Sequence, residues 1–141
     1  CGYPAILEDA GQLTAGAPVE INGPGGPLAA LPILQDHGGV TSYGFRFGPA
    51  AYSNDVAQMD EPALDQLDGL ALWIVDALRY APHPSHAHLA RSLEWVERLR
   101  PKRTVLTNMH IDLDYQRLRA ELPGGVEPGF DGFYADLPYP G

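Results

Sequence analysis

The six apolar residues at positions 70–75 constrain the fold most, because they do not alternate with polar residues. A strand with one face in water alternates between apolar and polar side chains, so this run predicts a strand that is buried on both faces. A sheet that contains such a strand needs a covering layer on each side, which indicates a layered α/β domain. Residues 104–107 predict a second buried strand of the same kind.

The flanking segments predict further strands and two helices. In residues 40–47, Tyr43, Phe45 and Phe47 recur at every second position, which is typical of a half-buried strand. Ser85 is suited to begin a helix that runs to residue 99, and Pro101 would end it. The other predicted elements are an extended segment at 18–22, strands at 28–35, 50–53 and 126–137, and a helix at 113–122.

Charge and cysteine content exclude several classes of protein. The 141 residues carry 18 acidic and 9 basic side chains, which give a net charge of −9. The one compact basic segment, at 98–103, lies at a predicted helix end, where cations favour the helix dipole, so a nucleic acid is not an expected partner. No apolar run reaches the ~18 residues that cross a bilayer, so no membrane partner is expected. The single cysteine excludes an internal disulfide, and no signal-peptide pattern is present, so the expected location is the cytoplasm.

Histidine and aspartate residues follow four of the predicted strands. His37, Asp55, Asp76 and His110 each come within three residues of a strand end. The carboxyl ends of strands in open α/β sheets converge on one edge, and ligand sites form there. Imidazole and carboxylate groups are ligands that zinc, manganese and iron accept. Each residue alone is more often a turn residue or a solvated side chain than a ligand, but the four together indicate a metal site at this edge.

Five short motifs, spread over most of the chain, carry a family resemblance. They are Tyr43-Gly-Phe-Arg-Phe-Gly, Tyr52-Ser-Asn-Asp, Trp73-Ile-Val-Asp-Ala-Leu-Arg, Pro82-His-Pro-Ser-His and Leu106-Thr-Asn-Met-His-Ile-Asp-Leu-Asp-Tyr. Together they resemble the metallo-β-lactamase superfamily of binuclear metal hydrolases. Within it, they are similar to the cyclic phosphodiesterases of phosphonate utilisation, which open phosphoribosyl cyclic phosphate. The resemblance implies that residues 1–141 form the C-terminal half of an αββα sandwich, a mixed sheet with flanking helices.

The resemblance also implies roles for individual residues. His37 and Asp55 would hold metal, with Asp55 bridging two ions and so taking part in catalysis. His86 would contact the phosphate and protonate the leaving group. The usual last histidine ligand of the family falls on Asn108, so His110, two residues further on, is the expected ligand, because imidazole binds these metals better than an amide does.

Three further residues, Asp76, Asn108 and Asp112, are expected to support the ligands and to orient an imidazole. The family motif His-x-His-x-Asp-His, which supplies most metal ligands, is absent from the 141 residues. The resemblance therefore implies two divalent ions, zinc or manganese, in an intact protein, and an incomplete, inactive site in this chain alone. The start at Cys1, without an initiator methionine, agrees with the expectation that an N-terminal half is missing.

The expected function is that of a metal-dependent hydrolase, a phosphodiesterase that acts on a small cyclic or diester phosphate. Hydrolysis of a thioester, a lactam or an RNA 3′ end on the same fold is one alternative. A second alternative is a non-catalytic module that acts through homo-oligomerisation. Half of a two-sheet sandwich exposes an apolar face, and such a face favours association of identical chains, so a homo-oligomer is expected.

Overall fold

The computed structural model describes residues 11–137. They form a seven-stranded sheet whose strands lie side by side in chain order. The strands are β1 (Val19–Gly23), β2 (Gly26–Asp36), β3 (Thr41–Phe47), β4 (Ala50–Ser53), β5 (Leu72–Asp76), β6 (Arg103–Thr107) and β7 (Val126–Pro128). The helices are α1 (Glu61–Asp65), α2 (Leu89–Leu99) and α3 (Tyr115–Glu121). The prediction of an α/β fold with a mixed sheet and flanking helices is confirmed.

The direction of the strands places several strand ends at one edge of the sheet. β1 to β4 pair antiparallel with their neighbours, and β4 to β7 pair parallel. Two successive antiparallel pairings make β2 run in the same direction as β4. The carboxyl ends of β2, β4, β5 and β6 therefore share one edge, as the strand-end pattern predicted.

β5 is buried as its apolar run predicted, except at Ile74, which is half-buried on the face opposite Trp73. Trp73 and Val75 are completely buried in the main core. The Trp73 ring lies 6.4 Å from the ring of Trp95 on α2, so this helix covers one face of the sheet. The indole Nε1–H of Trp73 donates to the Ser53 hydroxyl oxygen at 3.0 Å, which pairs a buried polar group between neighbouring strands.

The predicted start of the long helix is wrong, although its end is confirmed. α2 begins at Leu89, with His88 as the N-cap residue, three residues after Ser85. The Ser85 main chain is held in a loop instead, because its carbonyl group accepts a hydrogen bond from His37 at 2.6 Å. The helix ends at Leu99, where Arg100 turns left-handed, with a φ of 47°, ahead of the proline.

Two other elements differ from the sequence prediction. α1 was not predicted, since it has only five residues; Asp60 caps it by accepting from the Ala63 N–H at 2.9 Å. β7 spans three residues rather than 126–137, because Pro128 lacks an N–H and the chain turns at 131–132. Within the described part of the chain, no helix has the length and apolar character needed to cross a membrane.

Candidate metal centre

Three side chains of metal-ligand type meet at the edge where β2, β4 and β5 end. They are His37, Asp55 and His86, and one ligand atom of each lies within 4.8 Å of the others. His37 follows β2, Asp55 follows β4, and His86 belongs to the loop between β5 and α2. The His37 and His86 rings are nearly edge to face, with centroids 4.6 Å apart. The fold thus brings together three residues that are 18 and 31 positions apart in the chain.

His37 is oriented by the loop that precedes α2. Its Nδ1 lies 2.6 Å from the Ser85 carbonyl oxygen, which can only accept a hydrogen bond. Nδ1 therefore carries a proton, and Nε2 of the neutral ring keeps its lone pair for a ligand. Gly38 makes this approach possible, since its φ is +68° and a Cβ there would lie 2.7 Å from the Ser85 Cβ.

Asp55 lies in a left-handed turn directly after β4. Its φ is 52°, a conformation that residues other than glycine adopt rarely. Its side chain is 55% exposed, and its Oδ1 lies 3.9 Å from Nδ1 of His86. The next residue, Val56, is completely buried, so the chain turns back into the core immediately after the carboxylate. Strained backbone that presents an exposed charged group is typical of a binding site.

His86 is oriented by a buried carboxylate. Its Nδ1 lies 2.7 Å from Oδ2 of Asp76, whose residue surface is 0% exposed. The same oxygen accepts from the Val56 N–H at 3.4 Å, so Asp76 ties the His86 loop to the Asp55 turn. Burial raises the pKa of the Asp76 carboxyl, and the hydrogen bonds from His86 and Asn108 act in the opposite direction. Because the Asp76 carboxylate binds Nδ1–H of His86, the Nε2 atom of the ring is free to face a ligand.

Asn108 supports the same group from the end of β6. Its side-chain amide donates to Oδ1 of Asp76 at 3.2 Å and lies 3.2 Å from Nδ1 of His86. Its φ is 58°, so the left-handed backbone directs the amide back toward β5. Asp76 and Asn108 therefore both contact His86, and the supporting role expected of them stays a prediction.

His110 and Asp112 form a separate pair. Nδ1 of His110 lies 2.8 Å from Oδ1 of Asp112, and the two side chains are 59% and 46% exposed. Among the described residues, the group of close ligand atoms contains His86 and not His110. The assignments of His110 as a ligand and of Asp112 as its support stay predictions.

His83 lies against the group, although the sequence assigns it no role. Its ring centroid is 5.3 Å from that of His86. Its Nδ1 accepts from the Ser85 N–H at 3.3 Å, which places the proton of the neutral ring on Nε2. Burial lowers the pKa of His83, and the positive charge of Arg79 adds to the effect. The spacing Pro82-His-Pro-Ser-His could have suggested it, since two histidines three residues apart can reach the same site.

The donor set suits a divalent transition metal. Imidazole nitrogens and carboxylate oxygens are groups that zinc and manganese accept. Both imidazoles have their Nδ1 bound to protein oxygen atoms, which leaves Nε2 available. A second ion would need donors beyond these three residues.

Comparisons with known proteins show the family and the fold. Residues 4–111 match the family model of the beta-lactamase superfamily domain. A solved diphosphatase from the PhnP family is similar at a TM-score of 0.80 and 32% identity, over 86% of this chain and 46% of that one. The metallo-beta-lactamase fold protein YhfI from Bacillus subtilis is similar in fold at a TM-score of 0.65 and 18% identity, over 86% of this chain and 53% of that one.

Two further relatives show how much of each protein resembles this chain. Human tRNase Z, short form, shares the fold at a TM-score of 0.58 and 17% identity, over 79% of this chain and 43% of that one. An octanoyltransferase from Porphyromonas gingivalis is 25% identical over 111 residues, which are 77% of this chain and 22% of that protein. The chain thus spans about half the length of the solved relatives and less than a quarter of the curated one. Since the family model covers most of the chain and the mixed sheet matches these structures, the chain belongs to the metallo-β-lactamase superfamily, with a PhnP-like pattern.

Proposed function

We propose that this chain contributes to the active site of a metal-dependent phosphodiesterase that acts on a small cyclic or diester phosphate. The observation that carries the proposal is the convergence of His37, Asp55 and His86 within 4.8 Å. The likeness to a diphosphatase of the PhnP family, at 32% identity, supports phosphate ester chemistry over the other reactions of the fold.

His37 and Asp55 are the residues that would hold metal. His37 offers Nε2, because its Nδ1–H is bound to the Ser85 carbonyl oxygen. Asp55 offers an exposed carboxylate on a turn whose backbone is already in the required conformation. Zinc or manganese ions bound there would activate water and neutralise charge that develops on the phosphate.

His86 would deliver a proton to the departing oxygen. The Asp76 carboxylate, 2.7 Å from its Nδ1, stabilises the positive charge of the protonated ring and fixes its orientation. The ring is only 18% exposed, so its proton is directed into the site rather than into bulk water. His86 and Asp76 thus act as one unit, in which Asp76 is the positioning residue.

The complete reaction requires ligands that these three residues do not supply. Two-metal hydrolysis uses ions about 3.5–4 Å apart, each with several protein ligands. The solved relatives are about twice as long as the matched region. We therefore expect hydrolysis from the protein that the complete reading frame encodes, and none from the 141-residue chain alone.

Zinc titration of the 141-residue chain tests the metal site. His37→Ala and Asp55→Asn should each weaken zinc binding at least tenfold, whereas His88→Ala, which removes a histidine outside the group, should not. His110→Ala decides whether the predicted ligand belongs to the site, since a tenfold loss would add His110 to it. Unchanged zinc affinity in both His37→Ala and Asp55→Asn would overturn the assignment.

Turnover tests the proposed reaction. The full-length protein with zinc or manganese should hydrolyse bis(p-nitrophenyl) phosphate and a five-membered cyclic phosphodiester. His86→Ala should abolish hydrolysis of the cyclic phosphodiester, whose departing alkoxide needs a proton, and should affect bis(p-nitrophenyl) phosphate less, because p-nitrophenolate leaves without one. Its zinc affinity should change less than that of Asp55→Asn. Full hydrolysis of the cyclic substrate by His86→Ala would exclude it as the proton donor, and an equal loss of zinc affinity would make it a ligand instead.

One feature of the sheet favours a second function, self-association. Phe45, Tyr52 and Ile74 lie in register across β3, β4 and β5, on the face opposite Trp73. Tyr52 is 41% exposed, and the other two are half-buried. We propose that a second copy of the chain covers this row when the chain is alone. Light scattering should show a dimer or larger species, reduced by Tyr52→Lys but not by Ile21→Lys on β1; a monomer would refute it.

A further inference from the structure

We infer that Gln35 and Ser42 are positioning residues for Asp55, and that they set the carboxylate in place through the main chain. The inference rests on the proposed function, because it assigns a purpose to the left-handed turn at Asp55. Neither residue belongs to the ligand group, and neither follows a strand end as the ligands do. They act from within the β2–β3 pair, where Gln35 and Ser42 lie opposite each other, one residue before β2 ends and one residue after β3 begins.

The contacts form a continuous path from β2 to the Asp55 turn. The Gln35 Nε2–H donates to the Asn54 carbonyl oxygen at 2.9 Å. The same amide lies 3.3 Å from the Ser42 hydroxyl oxygen. The Ser42 hydroxyl in turn donates to the Asp55 carbonyl oxygen at 2.7 Å. Two consecutive carbonyl groups, those of Asn54 and Asp55, are therefore held by side chains of β2 and β3.

The Asp55 turn needs such support. Its φ of 52° is unfavourable for an L-residue and persists only where the surroundings enforce it. Its side chain is 55% exposed, so packing of the carboxylate cannot enforce the conformation. The direction of the Asp55 carbonyl group relative to that of Asn54 depends on the φ and ψ torsions of Asp55. Holding both carbonyls restricts these torsions and so directs the side chain toward His37 and His86.

The absence of a side chain on Gly44 leaves the space that the Gln35 side chain occupies. Gly44 pairs with Ile33 beside it, and a Cβ on Gly44 would lie 2.3 Å from Oε1 of Gln35 and 3.0 Å from the Tyr52 carbonyl oxygen. Gln35 is 3% exposed, and in the described part of the chain its Oε1 has no hydrogen-bond partner. A leucine would fill this space without leaving a buried acceptor unpaired. The glutamine is explained by its donor, which reaches the Asn54 carbonyl.

The test compares variants that break the path with one that does not. Ser42→Ala removes the hydroxyl, Gln35→Met keeps the shape but removes the donor, and Gly44→Ala displaces Gln35. Thr41→Ala, an exposed neighbour on β3, is the control. The readouts on the 141-residue chain are the ¹³Cα and ¹³Cβ chemical shifts of Asp55, which report its backbone conformation without metal, and zinc affinity by calorimetry.

We expect the Asp55 shifts of the first three variants to move away from left-handed values, and zinc affinity to fall about 10–100-fold, as for other residues that orient ligands. Ser42→Thr, which keeps the hydroxyl, should restore both. Left-handed shifts in all three variants would overturn the inference, as would altered shifts with unchanged zinc affinity. Asp55→Asn separates this from the proposed function: if it does not weaken zinc binding, the metal site fails, whatever the shifts show.

Discussion

The buried carboxylate of Asp76 can stabilise the fold through its negative charge or through the hydrogen bonds that it accepts. It accepts hydrogen bonds from His86 at 2.7 Å, Asn108 at 3.2 Å and the Val56 N–H at 3.4 Å. Asp76→Asn keeps an oxygen that can accept from His86 and Val56 but removes the charge. Asp76→Ala removes every acceptor. Comparing the two variants shows whether the charge or the hydrogen bonds stabilise the fold.

The expected magnitudes follow from the burial of the three donors. In Asp76→Ala, the N–H of the completely buried Val56 loses its partner, and a buried unpaired donor costs about 1–3 kcal/mol. His86 and Asn108 are partly exposed and can turn to water, so they add little. Loss of a desolvated charge offsets part of the cost. We expect Asp76→Ala to lower the free energy of unfolding by about 1–2 kcal/mol, and Asp76→Asn to leave it within about 0.5 kcal/mol or to raise it.

The sign of the pH dependence follows from the raised pKa. The folded chain holds the Asp76 proton more tightly than the unfolded chain does. This contribution to stability is complete below the unfolded-state pKa and is lost as the pH rises through the folded-state value. Asp76→Asn cannot ionise, so its stability relative to the wild type should increase across the acidic range and then become constant.

Urea unfolding at several pH values measures these differences. The result that would refute the reasoning is a loss of stability in Asp76→Asn, at neutral pH, as large as that in Asp76→Ala. The negative charge would then be a net stabilising group, and the hydrogen bonds would not be the reason for its burial.

Two further predictions concern backbone positions at the site. Gly38→Ala should weaken zinc binding at least tenfold, because its Cβ would displace Ser85, whereas Gly39→Ala, which also has a positive φ but no atom within 4 Å, should bind zinc as before. Equal zinc affinities for the two variants in calorimetry would contradict this. Asn108→Ala should be less stable than Asn108→Gly by about 1 kcal/mol in urea unfolding, because its φ is 58°; the reverse order would show that the left-handed turn carries no strain.

Much of the fold could be predicted because the spacing of apolar side chains along the chain indicates which faces of a strand or helix are buried. The unbroken apolar run before Asp76 predicted a strand with two covered faces. β5 is buried at Leu72, Trp73 and Val75, but Ile74 is only half-buried, because no helix in the described part of the chain covers the row that it forms with Tyr52. Helix boundaries were less predictable. Ser85 has the chemistry of an N-cap, but its main-chain groups bind His37 and His83 in the folded chain, and α2 begins later. Contacts between distant residues outweighed a local preference at that point.

The strand-end histidines and aspartates were visible in the chain alone, because a residue that follows a buried strand must lie at the edge of the sheet. The sequence also indicated a shared site at this edge, but it did not show which histidine lies closest to His37 and Asp55. Whether His86 or His110 joins His37 and Asp55 depends on how two loops fold over the edge, and in the described residues it is His86. The supporting side chains Gln35 and Ser42 lie within strands and carry no local signal. Their role exists only in three dimensions, because hydrogen bonds between neighbouring strands join residues that are far apart in the chain.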